Sequence, residues 1–357
     1  MYYYLGYFIF ALLGGMRLAY RGVHVHPFIG LFFLATVLLF GFRYGIGTDY
    51  HSYINIFNDI TADRGFHKHR LETGYYWLNY AFGSMGLPAQ SIIFASFLTT
   101  FYFYMRTMVR YSDNYFVSVM VLVCFGLLFQ ATNVVRQCLA YSICLLSIPY
   151  ILNRQFLRFF LVVAIAAFLF HRTSLFFLSA YFVILIPRSQ LLWYVLFGIS
   201  IVIYLFTRYV IGMLASVMGG VDFVYAGYFR DLHQITRAVT GMGINLMIDM
   251  ALFLFVVFNF KHMRDDPPAR LFLSLYLLGI LMNFAFAQTA LLNRFAFYFY
   301  YFSFLAMPII LQSIKEGRGK ILGYGLFLAY CLLLYTRSAF DEDSSYSNYN
   351  NVLMMFN

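Results

Sequence analysis

Charge is scarce in this chain. Asp, Glu, Lys and Arg make up 11% of its 357 residues, hydrophobic types make up 62%, and mean hydropathy is +0.75. That shortage excludes a soluble domain of ordinary size, because the polar stretches are too short to clothe one. Cysteine is equally sparse. Cys124, Cys138, Cys144 and Cys331 sit within apolar stretches without a Cys-x-x-Cys pair. This spacing suggests neither a disulfide framework nor a thiolate metal site, and it marks them as small core residues. A glycine-rich phosphate loop and a nucleotide fingerprint are missing, which argues against ATP hydrolysis. Strict apolar–polar alternation, the mark of a membrane barrel, is missing too.

What is present is a near-continuous series of apolar runs. A span needs about 20 mostly apolar residues to cross roughly 30 Å of hydrocarbon. Candidate spans fall near 3–20, 27–42, 78–108, 116–130, 137–152, 156–170, 174–187, 191–208, 243–260, 271–288, 295–314 and 321–336. They predict an all-α polytopic membrane protein, a bundle of about 12 (11–13) transmembrane helices forming a single integral membrane domain over 1–357. The first run lacks a small-residue cleavage site and reads as a span, not a removed signal peptide. Residues 43–77 and 209–242 read as longer extracytoplasmic loops. Lysine and arginine bias orients the bundle. One face collects Arg17, Arg21, Arg106, Arg110, Arg154, Arg158, Arg188, Lys261, Arg264, Arg270, Lys315, Arg318 and Lys320, and is read as cytoplasmic. The formal net charge of +10 then reflects orientation plus an outer anion site, with no nucleic-acid partner.

The unusual polar clusters all fall on the opposite face. In RYGIGTDYHSY (43–53), Arg43 ends an apolar run and Asp49 follows two glycines beside Tyr50 and Tyr53. Asp49 there suits proton acceptance from a sugar hydroxyl or metal coordination; capping the next helix is the plainer alternative. In ETGYYWLN (72–79), Glu72 is a second acid, a partner for Arg43 or Arg136, or simply a favourable helix-start charge. NVVRQ (133–137) places Asn133, Arg136 and Gln137 at a helix start, where free amides favour anions and an arginine fork fits a diphosphate. Asn293 and Arg294 repeat that logic ahead of Tyr298. His171 in HRTS (171–174) is a base, an oxyanion donor or a satisfied interfacial residue. Tyr50, Tyr53, Tyr75 and Tyr298 cluster around these motifs, where aromatic faces with polar rims suit sugar rings. Asp249 lies mid-span and requires a partner, Asn245 or an arginine on another helix.

Taken in order, RYGIGTDYHSY, ETGYYWLN, FQATNVVRQCLA (129–140) and FHRTSL (170–175) resemble the EpsG family of exopolysaccharide polymerases, akin to Wzy-type O-antigen and capsule polymerases. NRFAFYFYY (293–301) and YSNYNN (346–351) fit more loosely. The resemblance implies a bundle of GT-C-like glycosyltransferase architecture in the bacterial cytoplasmic membrane, its site facing outward. It implies polymerisation of undecaprenyl-pyrophosphate-linked oligosaccharide units: an acceptor hydroxyl attacks the anomeric carbon and the pyrophosphate-lipid leaves. Arg136 and Arg294, with Arg43 in reserve, would stabilise the leaving group. Asp49, then His171, then Glu72 would take the proton. No cofactor or metal is expected; membrane lipid, a chain-length regulator and a flippase are the expected partners. A lipid-linked glycan ligase, an O-acyltransferase using His171, and a flippase or transporter are the alternatives.

Overall fold

The computed structural model describes residues 2–21, 26–63, 71–218, 243–340 and 351. In chain order the apolar runs form α1 (Tyr2–Arg21), α2 (His26–Thr36) with a π turn over Val37–Gly41, α3 (Tyr50–Thr61), α4 (Thr73–Ser84) and α5 (Gln90–Tyr111). Next come α6 (Tyr115–Cys124), α7 (Leu127–Asn133), α8 (Val135–Cys144), α9 (Ile148–Leu152) and α10 (Phe156–Leu169). A 3-10 helix over Arg172–Ser179 leads into the short α11 (Ala180–Val183). The chain continues as α12 (Gln190–Met218), α13 (Ile244–Phe258), α14 (Pro267–Ala285), α15 (Ala290–Tyr300), α16 (Ser303–Gln312) and α17 (Arg318–Phe340). An antiparallel bridge joins Arg43 and Asn351.

Five helical stretches are long and apolar enough to cross a membrane: α5, Val135–Leu152, Gln190–Thr207, α14 and α17. Counting each bent pair as one span brings the number to seven: α6 with α7, bent by 43°, and Leu292–Tyr300 with α16, bent by 50°. Tyr2–Met16, Pro27–Gly41, Phe156–Leu169 and Ile244–Phe258 are shorter apolar helices. The chain is therefore an all-α polytopic membrane protein. Among the described residues, twelve full-length spans are not reached, because the apolar runs are interrupted. Gly126, at φ +80°, adopts the left-handed conformation that ends α6 and lets α7 restart in a new direction. The run expected at 174–187 becomes a 3-10 helix and a four-residue α11. Helix occupies parts of the two segments expected as longer loops: α3 lies inside 43–77, and α12 runs on to Met218. The rest of the second loop, 219–242, lies outside the described residues, as do 346–350 of the YSNYNN string.

The contacts divide into two units, residues 1–181 with 314–357, and residues 182–313. In the first, α6 is buried almost throughout and α1 and α17 pack against it. Aromatic rings fill the gaps. Tyr4 lies 6.1 Å from Phe40 and 5.8 Å from Phe129, and the Tyr335 hydroxyl donates to the Tyr4 carbonyl at 2.7 Å. Such ring pairs add about 0.5–1.5 kcal/mol each beyond area burial. Helix α5 packs on α8, and α10 packs on α8 and the 3-10 helix. In the second unit, α14 packs on α12, α13, α15 and α16. There Asp249 of α13, 1% exposed, accepts from the Tyr300 hydroxyl at 3.1 Å and the Asn283 amide at 3.5 Å. These are an amide and a phenol on neighbouring helices.

Candidate active site

A broken helix organises the site. Helix α7 stops at Asn133 and α8 starts at Val135, so the backbone at the break loses helical partners while buried. Irregular backbone at membrane depth persists only when other protein groups satisfy it. Arg43 does so here. Its Nη2 donates to the Thr132 carbonyl at 2.6 Å, Nη1 to Phe40 at 3.0 Å and Nε to Ile46 at 3.3 Å. Asn133 completes the seam: its Oδ1 accepts from the Thr48 hydroxyl at 2.6 Å and the Asp49 backbone N–H at 3.2 Å. Gln90, at the start of α5, donates to the Arg43 carbonyl at 2.9 Å and accepts from the Tyr50 hydroxyl at 2.7 Å.

At the second residue of α8, Arg136 turns toward α4. Its Nη1 donates to Glu72 Oε2 at 2.6 Å, and its guanidinium lies 6.0 Å from the Tyr75 ring centre. The other Glu72 oxygen accepts from the Arg172 backbone N–H at 3.3 Å and lies 3.5 Å from His171 Nδ1. Three separate segments, the starts of α4 and α8 and the end of α10, thus meet at one carboxylate. Gly74 permits the approach: a Cβ there would stand 2.6 Å from Leu169 Cβ and 2.7 Å from the Leu169 carbonyl. Side-chain exposure is 26% for Arg136, 20% for His171 and 9% for Glu72, so the arginine and imidazole remain reachable while the carboxylate is mostly covered. Burial alone would raise the Glu72 carboxyl, but the nearby His171 imidazole and the Arg136 charge overcome it and hold the group at about 2.

The sequence model of the EpsG family matches residues 27–351, nearly the whole chain. The chain belongs to the EpsG family. That family is one of membrane proteins of the polysaccharide-polymerase type. Neither a curated protein nor a solved structure matches the chain.

In this EpsG-family protein the expected site residues are placed as follows. Glu72, Arg136 and His171 come together as described, and Gln137 is buried beside Arg136. Asp49 is half-buried on the α3 side, close enough that its charge acts on the Tyr53 hydroxyl, as does that of Arg136. Asn133 is a half-buried acceptor in the seam. Arg294 and Tyr298 belong to the second unit, where Arg294 is exposed and Tyr298 buried on α15. The remaining expected residues are buried. Arg43, 1% exposed, directs its guanidinium at three backbone carbonyls. Tyr50, Tyr53 and Tyr75 are core residues, at most 6% exposed, packed with Phe57, Ile92, Ile93 and Val135 in place of lining a sugar surface.

Thr48, Gln90 and Gly74 were not singled out from sequence. Gln90 had a signal: a lone amide at the start of a 22-residue helix, just past a proline. Gly74 had none, since its constraint is a contact with Leu169, 95 residues away by numbering. Among the described residues, no three His, Cys, Asp or Glu side chains gather as a metal-ligand group.

Proposed function

We propose that this protein elongates a lipid-linked glycan on the outer face of the bacterial cytoplasmic membrane. The donor is an undecaprenyl-pyrophosphate-linked oligosaccharide and the acceptor a sugar hydroxyl of a second such unit. The observation that carries this reading is the meeting of Arg136, Glu72 and His171, a cation beside two proton acceptors, at a partly open end of the first unit. Glycosyl transfer requires that pair of functions. The acceptor O–H gives its proton to His171 or Glu72, and its oxygen bonds to the anomeric carbon. The bond from that carbon to phosphate breaks, its electron pair staying on the departing diphosphate. Negative charge grows on the leaving group as the bond breaks, and Arg136 stabilises it most at that stage.

Charge distribution supports the outward orientation. Helices α5 and α8 pack together and both start at the site, α5 through the Gln90 contacts with Arg43. Their far ends lead to Arg106, Arg110, Arg154 and Arg158, all exposed. Tyr324 of α17 accepts from Asn114 at 3.3 Å, which brings the start of that helix, with Arg318 and Lys320, to the same far end. Basic residues favour the cytoplasmic side, so the site belongs on the other. We assign the shorter apolar helices to the bilayer as well, in a bundle of GT-C type that works without a metal.

The test is direct. Purified protein in detergent is mixed with undecaprenyl-pyrophosphate-linked oligosaccharide, without nucleotide, in parallel with EDTA and with Mg²⁺. A ladder of longer lipid-linked glycans in both arms supports the reading. An unchanged substrate band in both arms overturns it.

A further inference from the structure

The contacts of Arg136 pose a difficulty for any anion arriving at this site. Arg136 is already neutralised by Glu72 at 2.6 Å, and Arg43 is committed to the helix break. A diphosphate carries at least two negative charges, and a neutral ion pair attracts it weakly. The site needs another cation within reach of Arg136.

Arg172 is the neighbouring candidate. Its backbone N–H, 3.3 Å from Glu72 Oε1, fixes its main chain against the carboxylate that holds Arg136 from the opposite oxygen. Its side chain is exposed, next in sequence to His171. We propose that Arg172 captures the diphosphate and binds it jointly with Arg136, displacing Glu72 from that arginine. Two arginines around one diphosphate give charge-assisted, bidentate contacts to oxygens that a single guanidinium cannot all reach. Displacement has a chemical consequence. Glu72 paired with Arg136 is a poor proton acceptor; Glu72 released beside His171 is a better one. Donor binding therefore prepares the base, and the acceptor hydroxyl is deprotonated only once a leaving group is in place. The inference rests on the polymerase reading above and assigns to it an order of events.

Because the contact to Glu72 comes from the Arg172 backbone, replacing the side chain leaves that hydrogen bond intact. Binding of undecaprenyl diphosphate and of inorganic pyrophosphate would be measured on the full-length protein in detergent for wild type, Arg172→Ala, Arg172→Lys, Glu72→Gln and the far-end variant Arg154→Ala. The expected result is an affinity loss of about tenfold or more in Arg172→Ala, the worth of one charge-assisted contact, and a smaller loss in Arg172→Lys. Glu72→Gln should bind more tightly than wild type, since it removes the competing anion, and Arg154→Ala should match wild type. A loss for the lipid diphosphate and pyrophosphate alike places the contact at the phosphates. Arg172→Ala binding both probes as wild type does overturns the proposal, as does weaker binding by Glu72→Gln. A ladder assay on the same samples separates the two readings. No ladder from a wild-type protein that binds diphosphate sinks the polymerase reading. An intact ladder together with unaltered binding in Arg172→Ala sinks this inference alone.

Discussion

Glu72 and Arg136 lie 64 residues apart and meet at 2.6 Å across the starts of two different helices. Removing either partner has unequal consequences. Arg136→Ala leaves a carboxylate that is 9% exposed without its cation, costing about 1–3 kcal/mol of stability. Arg136→Lys keeps a charge for Glu72 but loses the planar fork, so the fold should hold while elongation falls about a hundredfold. Thermal unfolding in detergent and the rate of ladder formation check the two effects separately. Full elongation by Arg136→Lys would show that the fork is dispensable.

The same pair sets an acid limit. The Glu72 carboxyl sits at about 2 in the fold, below its ordinary 4.5, so its contribution is complete above about 4.5 and is lost as pH falls from there through about 2. The stability gap between wild type and Glu72→Gln should stay constant at neutral and mildly acid pH, then close in that window. Unfolding temperatures across a pH series measure it. A gap that widens in acid would contradict the assigned state of Glu72.

Gly74→Ala should be among the costlier single-methyl changes in the protein. The added Cβ would meet Leu169 Cβ at 2.6 Å and the Leu169 carbonyl at 2.7 Å, driving α4 off the end of α10 and Glu72 away from His171. Overpacking of this kind costs about 1–3 kcal/mol. Gly30→Ala, which meets nothing within 4 Å on α2, should be neutral or slightly stabilising through helix propensity. Melting curves for the two variants give the comparison, and equal effects would refute the close-approach argument.

Arg43 and Arg136 show where sequence reading stops. Each is an arginine flanking an apolar run next to a polar motif, and local pattern does not distinguish them. The fold turns one toward three carbonyls at a helix break and the other toward a carboxylate. What was legible is the set of segments, because ionisable residues beside apolar runs are costly to keep. What was not legible is which side chains face one another, a property of tertiary packing. Helix α3 is legible too: Tyr50, Tyr53, Phe57 and Ile60, all buried, recur at intervals of three and four after the Asp49 cap position. Among the described residues five to seven helices reach full span length where about twelve spans were expected, since hydropathy registers apolar length and not a break such as that at Gly126.

The two arginines should separate in the laboratory as well. Arg43→Gln removes donors from buried carbonyls of Phe40, Ile46 and Thr132, each unsatisfied group costing about 1–3 kcal/mol. The expected phenotype is loss of folded protein, seen as early unfolding in detergent and rapid proteolysis near residues 43–49. A stably folded Arg43→Gln protein that has lost only diphosphate binding would return Arg43 to the anion site.

Asp249 supplies a test of reaction class. Its carboxylate is buried in the second unit against Tyr300 and Asn283, next to the bend that separates α15 from α16. Asparagine there keeps a carbonyl acceptor for the Tyr300 hydroxyl while removing the titratable proton. If Asp249 serves only to hold α15 through Tyr300, Asp249→Asn should fold and form the same glycan ladder, whereas Asp249→Leu should lose stability because the phenol loses its acceptor. A proton-coupled transporter would behave in the opposite sense, failing with asparagine as completely as with leucine. Measuring ladder formation and unfolding temperature in both variants decides between a carboxylate that shapes a helix and one that carries protons.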